Sequence, residues 1–385
     1  MKILYLTEWY PHRYDAMYGL FVRRHAAAAV AAGDEVCVIY MHRLTAENLK
    51  QSADAGHRCP QYEIQKLTTD GVSEYYSYYR HGYFSALRQV WKEVKHTWGK
   101  PDLCQINVVS KDAILPFFLL VVQRIPYMVI EHWSGYLPEN NAYMQSDILH
   151  RWFTRLVVRH ARRLLVVSKE LEHGMTKCGV RNKHTYIINN VVDDVFFAQP
   201  TPAHSSPQHT TQFVHISCFD EQAKNVRGIL NAVRRLADRH TDFHITMVGT
   251  GKDIGLCRQY ATDLHLGGDI VSWTGELPPA TVARELAQAD AFVLFSNYET
   301  AGVVLSESMA VGTPVITTPV GIASEIIDNQ TGIIVPIGDE QQLALSMEEI
   351  ILGKRSFSRK HIRTQALPFT EKAVGETLHK FAQEG

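Results

Sequence analysis

The stretch Ala291-Phe-Val-Leu-Phe-Ser-Asn-Tyr-Glu-Thr-Ala-Gly-Val-Val-Leu-Ser-Glu-Ser-Met-Ala-Val-Gly312, continued by Thr-Pro-Val-Ile-Thr-Thr318, reads as strand, tight loop, helix, glycine stop and strand. Two carboxylates stand at fixed places in it: Glu299 in the loop at the strand's end and Glu307 inside the helix. A helix that starts near Ala301 and Gly302, with Val303 in its first turn, presents unpaired backbone N–H groups, a ready site for a diphosphate. Gly302 lets that backbone approach an anion with no side chain in the way. Glu307 lies five residues further on, roughly 7–8 Å along the axis at ~1.5 Å per residue, which is the order of the span from a diphosphate to the far side of a ribose. A carboxylate there can accept from both ribose hydroxyls, and Glu299, at the other end of the phosphates, would face a transferred sugar. The plainer alternative is a solvated helix glutamate, the usual state of that residue. Against it, Glu307 sits among Val303, Val304, Leu305, Met309 and Ala310.

Outward from this unit, short β-rich runs alternate with helical stretches through the whole chain, the pattern of parallel α/β sheets. The first repeat is a strand at 2–7, a helix at 19–32 ended by Gly33, and a strand at 35–40. Further strands are expected at 62–67, 103–109, 126–131, 164–167 and 185–188, then at 212–217, 243–248, 270–273, 291–295 and 314–317. Between the two series, residues 198–211 carry three prolines and few apolar side chains, and read as an exposed linker. The expected parse is an N-terminal α/β domain over 1–197, a linker over 198–211, a second α/β domain over 212–366 and a C-terminal amphipathic helix within 367–385. Ligands of such sheets bind beyond the C-terminal ends of the strands.

Composition narrows the partners. The chain has 385 residues, with 39 Lys and Arg against 40 Asp and Glu, so no basic excess points to nucleic acid. The cysteines Cys37, Cys59, Cys104, Cys178, Cys218 and Cys257 show no Cys-x-x-Cys spacing and read as free thiols in a reducing compartment. The longest apolar stretch, 113–122, falls well short of the ~20 residues a membrane helix needs. A cytoplasmic protein is expected, with a peripheral contact at the inner face of the membrane left open. The basic run Arg151-Trp-Phe-Thr-Arg-Leu-Val-Val-Arg-His-Ala-Arg-Arg163 reads either as a solvated face or as a surface for anionic headgroups.

The motif around Glu299 and Glu307 resembles the Glu–seven residues–Glu signature of retaining glycosyltransferases with the GT-B fold, family 4 in particular. Glu307-Ser-Met-Ala-Val-Gly-Thr-Pro-Val-Ile resembles that family's Glu-Ala-Met-Ala-x-Gly-x-Pro-Val, and Val320-Gly-Ile-Ala-Ser-Glu-Ile-Ile-Asp-Asn-Gln-Thr-Gly-Ile-Ile-Val335 resembles the family's next segment. By that resemblance Lys224 stands where the family places a lysine on the donor diphosphate. Gly249 and Gly251 in Met247-Val-Gly-Thr-Gly251 occupy a turn beside the nucleotide, and Asn189-Asn-Val-Val-Asp193 resembles the stretch that closes the first domain. The chain from Phe369 resembles a helix that crosses back to the N-terminal domain, the two Rossmann-like domains facing a central cleft. Two departures stand out. No arginine precedes Lys224 in Ser217-Cys-Phe-Asp-Glu-Gln-Ala223, so a residue such as Arg227 would have to help, and the family's Gly-Phe-Gly is here Thr300-Ala301-Gly302.

In the N-terminal half, Gly19 alone remains of the family's first glycine-rich loop; simple backbone geometry is the other reading of it. His132, in Val129-Ile-Glu-His-Trp-Ser-Gly135, stands past a strand end where the family has a histidine on the donor sugar; a satisfied structural histidine is the alternative. Glu131 either orients His132 or faces solvent. The resemblance implies hexosyl transfer with retention, no metal and no cofactor, the nucleotide-sugar being the substrate and the acceptor a glycan or lipid-linked hydroxyl in surface polysaccharide synthesis. No Asp-x-Asp appears; Asp193 and Asp194 are adjacent. Front-face substitution is expected, with covalent double displacement at Glu299 the alternative. A nucleotide-sugar epimerase and a non-catalytic nucleotide-sugar-binding protein are rival functions. A nicotinamide oxidoreductase lacks its Gly-x-Gly-x-x-Gly after the first strand.

Overall fold

The structure is a computed structural model that describes residues 1–54, 60–110, 124–200 and 210–384. Cys59, the apolar stretch 113–122 and most of the expected linker (201–209) lie outside the described residues. The chain divides into two compact units, one of Met1–Val191 with Glu371–Gly385 and one of Val192–Thr370.

Unit 1 holds an eight-stranded sheet in the order β3-β4-β2-β1-β5-β6-β7-β8. Its strands are β1 (Lys2–Thr7), β2 (Glu35–Arg43), β3 (Tyr62–Thr69), β4 (Val72–Tyr79), β5 (Leu103–Asn107), β6 (Tyr127–Glu131), β7 (Leu164–Val166) and β8 (Thr185–Ile187). The central strands β5 and β6 are buried along their whole length, because helices cover both faces of a parallel sheet and leave no polar side to alternate. The edge departs from the parallel pattern. β3 runs antiparallel to β4 through a two-residue turn, Asp70 and Gly71, both at positive φ (51° and 76°). That is the turn chemistry of a tight hairpin. The sequence reading has β3 but not β4, whose tyrosines occupy both faces and erase the period of two.

Unit 2 holds a six-stranded sheet in the order β11-β10-β9-β12-β13-β14, parallel throughout its pairings. Its strands are β9 (Thr211–Ile216), β10 (Phe243–Val248), β11 (Val271–Gly275), β12 (Ala291–Leu294), β13 (Val315–Thr317) and β14 (Gly332–Ile334). The helix Val303–Val311 links β12 to β13, entered at Gly302 and left at Gly312, both in the left-handed region at φ 74° and 86°.

The C-terminal helix Glu371–Gln383 belongs to unit 1, as expected of a helix that returns. It packs on the helix Leu20–Ala31, whose alanines Ala26 to Ala29 are buried and short enough to let the two backbones meet. At the contact, a Cβ on Gly375 would lie 2.2 Å from the Ala28 carbonyl oxygen. Asp34, just past the first helix, accepts from the N-terminal ammonium at 2.7 Å and pairs with His379 Nδ1 at 3.0 Å. Replacing Gly375 with leucine is therefore expected to destabilise unit 1 by roughly 1–3 kcal/mol in urea unfolding. Gly255→Ala, in the helix Ile254–Asp263 with nothing within 4 Å, is expected to stabilise unit 2 by roughly 0.5–1 kcal/mol.

Candidate active site

In unit 2 the site grows from the loops that follow β9 and β12. The short helix Glu221–Lys224 ends in Asn225, whose left-handed conformation (φ 47°) turns the chain sharply into the helix Val226–Ala237. The loop after β12 is tied to it: Asn297 N–H donates to the Ala223 carbonyl at 2.7 Å and Asn297 Nδ2 to the Gln222 carbonyl at 3.0 Å. This lacing brings Lys224 to Glu299. Lys224 Nζ donates to Glu299 Oε1, and Ser296 Oγ donates to the same oxygen at 2.9 Å. Both charged side chains are mostly out of water, 16% and 11% exposed. Burial pulls the Lys224 pKa down, but the Glu299 carboxylate outweighs it, and the net displacement is upward.

The helix Val303–Val311 begins just beyond. Gly302 caps it with no side-chain hydrogen bond, so no polar side chain of the cap competes for the first N–H groups. A Cβ there would lie 3.1 Å from Leu305 Cδ1, a tight contact with the end of a side chain that can shift; what demands glycine is the conformation. Glu307 stands half-buried on the same helix. Three residues to which the sequence reading assigns no role shape this loop. Thr318 Oγ1 holds the Ser296 carbonyl at 2.7 Å, and Ile322 N–H holds the Ala301 carbonyl at 3.1 Å. Gly321, at φ 58°, lets the chain pass where a Cβ would lie 2.8 Å from the Ala301 oxygen. Gly321 is part of the quoted Val320-Gly-Ile run; the hydroxyls of Ser296 and Thr318 give no spacing signal.

Gly249 and Gly251 have a reason in the protein's own backbone. A Cβ at the first would lie 2.0 Å from the Ser217 carbonyl oxygen and at the second 1.6 Å from that of Cys218, so the loops after β9 and β10 interlock. Arg227 turns toward Tyr260, its guanidinium 5.1 Å from the ring centroid. Lys252 follows Gly251 in the interlocked loops, its Nζ 3.0 Å from Asp220 Oδ2. Asp193 caps the helix Asp194–Phe197 by accepting from the Val195 N–H at 3.0 Å.

In unit 1, Gly19 and His132 are connected through Phe21 rather than by a contact of their own. Gly19, at φ 65°, enters the helix Leu20–Ala31 where a Cβ would lie 2.2 Å from the Trp9 carbonyl carbon. Phe21, early in that helix, sets its ring 4.3 Å from that of His132, and His25 stands 5.6 Å away. His132 is buried, and its Nε2 has no hydrogen-bond partner among the described residues. Burial, with the neighbouring His25, holds its pKa well below the ordinary histidine value, so the ring is neutral.

Glu131 neither faces solvent nor touches the His132 ring. Its buried carboxylate collects main-chain groups: Oε1 accepts from the N–H of His132 at 3.0 Å and of Trp133 at 3.1 Å, and Oε2 from the N–H of Val109 at 3.2 Å and from Tyr136 OH at 3.3 Å. Burial pushes its pKa up to about 7 against the pull of these four donors. Beside it Val108 holds φ 61°, a strained conformation for a β-branched residue. A cavity of about 420 Å³ opens at these strand ends, lined by Glu8, Trp9, Val108, Val109, Ser110, Trp133 and His150.

Comparison with known proteins finds glycosyltransferases for both units. A family described as "Glycosyl transferase 4-like domain" matches residues 18–190, and "Glycosyl transferases group 1" matches residues 210–352. The chain is 30% identical over 251 residues to an N-acetyl-alpha-D-glucosaminyl L-malate synthase of Bacillus anthracis, covering 63% of each chain. It is 31% identical over 133 residues to a lipopolysaccharide core biosynthesis glycosyltransferase of Rhizobium meliloti, covering 34% of this chain and 36% of that one. The matches thus span less than two thirds of these relatives' own length. Among solved structures, Anabaena HepE, in complex with UDP and glucose, superposes with a TM-score of 0.74 at 17% identity over 100% of both chains. Sucrose-phosphate synthase of Thermosynechococcus elongatus does so with 0.74 at 19% identity, over 99% of this chain and 98% of that one. At those identities the likeness is one of fold.

Glu131→Gln tests the knot in unit 1. An amide nitrogen in place of either oxygen would point a donor at two donors, and at least the Val109 N–H or the His132 and Trp133 N–H pair would lose an acceptor. The expected loss of stability is about 1–3 kcal/mol in urea unfolding; a change below about 0.5 kcal/mol, the range of ordinary surface substitutions, would contradict the role assigned to the carboxylate.

Proposed function

The chain belongs to glycosyltransferase family 4, of the GT-B fold, and from that premise we propose that it transfers a sugar from a nucleoside diphosphate sugar to a hydroxyl of a glycan or lipid-linked acceptor, with retained configuration. The observation that carries this reading is the Lys224–Glu299 pair beside a helix whose N-terminus has no side-chain cap. One cation, one carboxylate and a row of N–H groups suit a diphosphate joined to a neutral sugar. Lys224 and the N–H groups at Gly302 and Val303 take the diphosphate, Glu307 takes the ribose hydroxyls, and Glu299 faces the sugar. Lys252, beside Gly251, takes the place of the family's missing arginine. His132 offers its Nε2 to a sugar hydroxyl.

In the proposed step the acceptor oxygen bonds to the anomeric carbon on the face from which the diphosphate leaves. The electrons of the broken C–O bond pass to the diphosphate, and the acceptor's proton goes to a departing phosphate oxygen. Lys224 and the helix terminus lower the barrier by holding charge where it develops. The donor is a substrate, and no cofactor or metal enters the scheme. A place in surface polysaccharide synthesis, on the cytoplasmic side and in peripheral contact with the membrane, fits such an acceptor.

The test is a thermal-shift series with UDP, GDP, ADP, CMP and NAD on the wild type and on Glu307→Ala. A ligand at one hundred times its dissociation constant stabilises the native state by ~2.7 kcal/mol. One nucleoside diphosphate is expected to raise the midpoint, and Glu307→Ala to lose that rise. A response to NAD alone would overturn the reading. Release of the nucleoside diphosphate only when acceptor is present separates a transferase from an epimerase or a binding protein.

A further inference from the structure

The helix Ile148–His160 shows an unusual outer face. Phe153, Thr154, Val157 and Val158 are buried in unit 1, yet Ile148, Leu149 and Trp152 stand 77%, 65% and 58% exposed. At 100° per residue, Ile148, Trp152, Arg155 and Arg159 fall on one stripe, with Leu149 beside its apolar end. The stripe therefore changes along its length from apolar to cationic. Exposed Met144, on the preceding turn, extends the apolar end. Five arginines lie from 147 to 163 against one acid, Asp147, which is occupied as the helix N-cap; Arg163 is paired with Glu384, which leaves Arg151, Arg155, Arg159 and Arg162. Arg151 and Arg155 donate to the main-chain carbonyls of Met144 and Cys178, so their charge stays uncompensated by those contacts.

A tryptophan and an isoleucine followed by arginines on one stripe, with a leucine beside the apolar end, match the layering of a lipid interface, with acyl boundary below and phosphate above. We propose that this face docks the protein on an anionic lipid surface and that the cavity behind it receives an acceptor carried there. The second half of the proposal rests on the glycosyl-transfer reading; the docking does not. The link between the two is His150, which lies between Leu149 and Arg151 on the same helix and lines the cavity with Trp133 and Val109. An acceptor whose lipid end stays in the bilayer would thus present its polar end beside the strand ends of unit 1. Cationic residues near such a surface add attraction that salt screens.

The test is sedimentation of the full chain with vesicles of phosphatidylethanolamine and phosphatidylglycerol, compared with phosphatidylcholine alone. Wild type is expected to pellet with the anionic vesicles at low salt, to be released as salt rises, and to ignore phosphatidylcholine. The triple variant I148S/L149S/W152S, and separately R159E/R162E at exposed positions, should bind at least tenfold more weakly. Both should unfold at the wild-type midpoint and keep the wild-type nucleotide response. Wild type that stays in solution with anionic vesicles, or a triple variant that binds as wild type does, would overturn the docking. So would light scattering that finds a wild-type dimer and a monomeric triple variant, since the face would then be an interface between copies. Loss of docking with an intact nucleotide shift sinks this proposal alone; docking without any nucleotide shift sinks the transferase reading.

Discussion

An ammonium and a carboxylate, both mostly removed from water, meet where β9 and β12 end: Lys224 against Glu299. Removing one partner of such a pair leaves an uncompensated charge, which is far more damaging than the pair is stabilising. The surroundings of unit 2 accordingly go to some length to fix both. Ser296 supplies a second donor to Glu299, Asn297 laces the two loops, and Thr318 pins the Ser296 carbonyl. In the proposed function an anion competes with Glu299 for the ammonium, and a pair held this way is already in place for it. The neighbouring N–H groups at Gly302 and Val303 then need no rearrangement to share the load.

Unit 1 solves a related problem with a carboxylate that has no cation beside it among its hydrogen-bond donors. A parallel sheet releases several chains at its C-terminal edge, each with main-chain N–H groups to satisfy. Here one buried carboxylate, Glu131, gathers the N–H groups after β5 and β6 together with a tyrosine hydroxyl. The knot holds Val109 and Trp133 as walls of the cavity and sets the backbone from which His132 projects. Gly135 completes it, since a Cβ there would lie 2.3 Å from the Trp133 ring. The strand ends of both units are thus organised by a carboxylate, in one case with a cation and in the other with main-chain donors and a hydroxyl.

Much of this was legible in the sequence, and unevenly so. The unit from β12 to β13 could be read almost to the residue because its strands are apolar runs, its helix is bracketed by Gly302 and Gly312, and its two glutamates keep a fixed spacing. The pairing of Lys224 with Glu299 could be read only through resemblance, because they lie 75 residues apart and no local pattern joins them. β4 was missed because Tyr75, Tyr76, Tyr78 and Tyr79 are all buried, so no face alternates; the Asp70–Gly71 pair was the signal that could have found it. The burial of Glu131 was hidden for a different reason. Periodicity locates a strand end but cannot count the donors that converge on it. Gly249, Gly251 and Gly19 were visible as glycines, whereas the backbone contacts that demand them are tertiary.

In the proposed function Lys224, placed by Glu299, holds a diphosphate. The most informative measurement is calorimetric titration of a nucleoside diphosphate and of the matching nucleoside into wild type and into the double variant K224M/E299Q, which leaves no unpaired charge behind. Wild type is expected to prefer the diphosphate by at least tenfold, about 1.4 kcal/mol, and K224M/E299Q to lose most of that preference while nucleoside binding is unchanged. A preference for the diphosphate that survives in K224M/E299Q would contradict this role of Lys224.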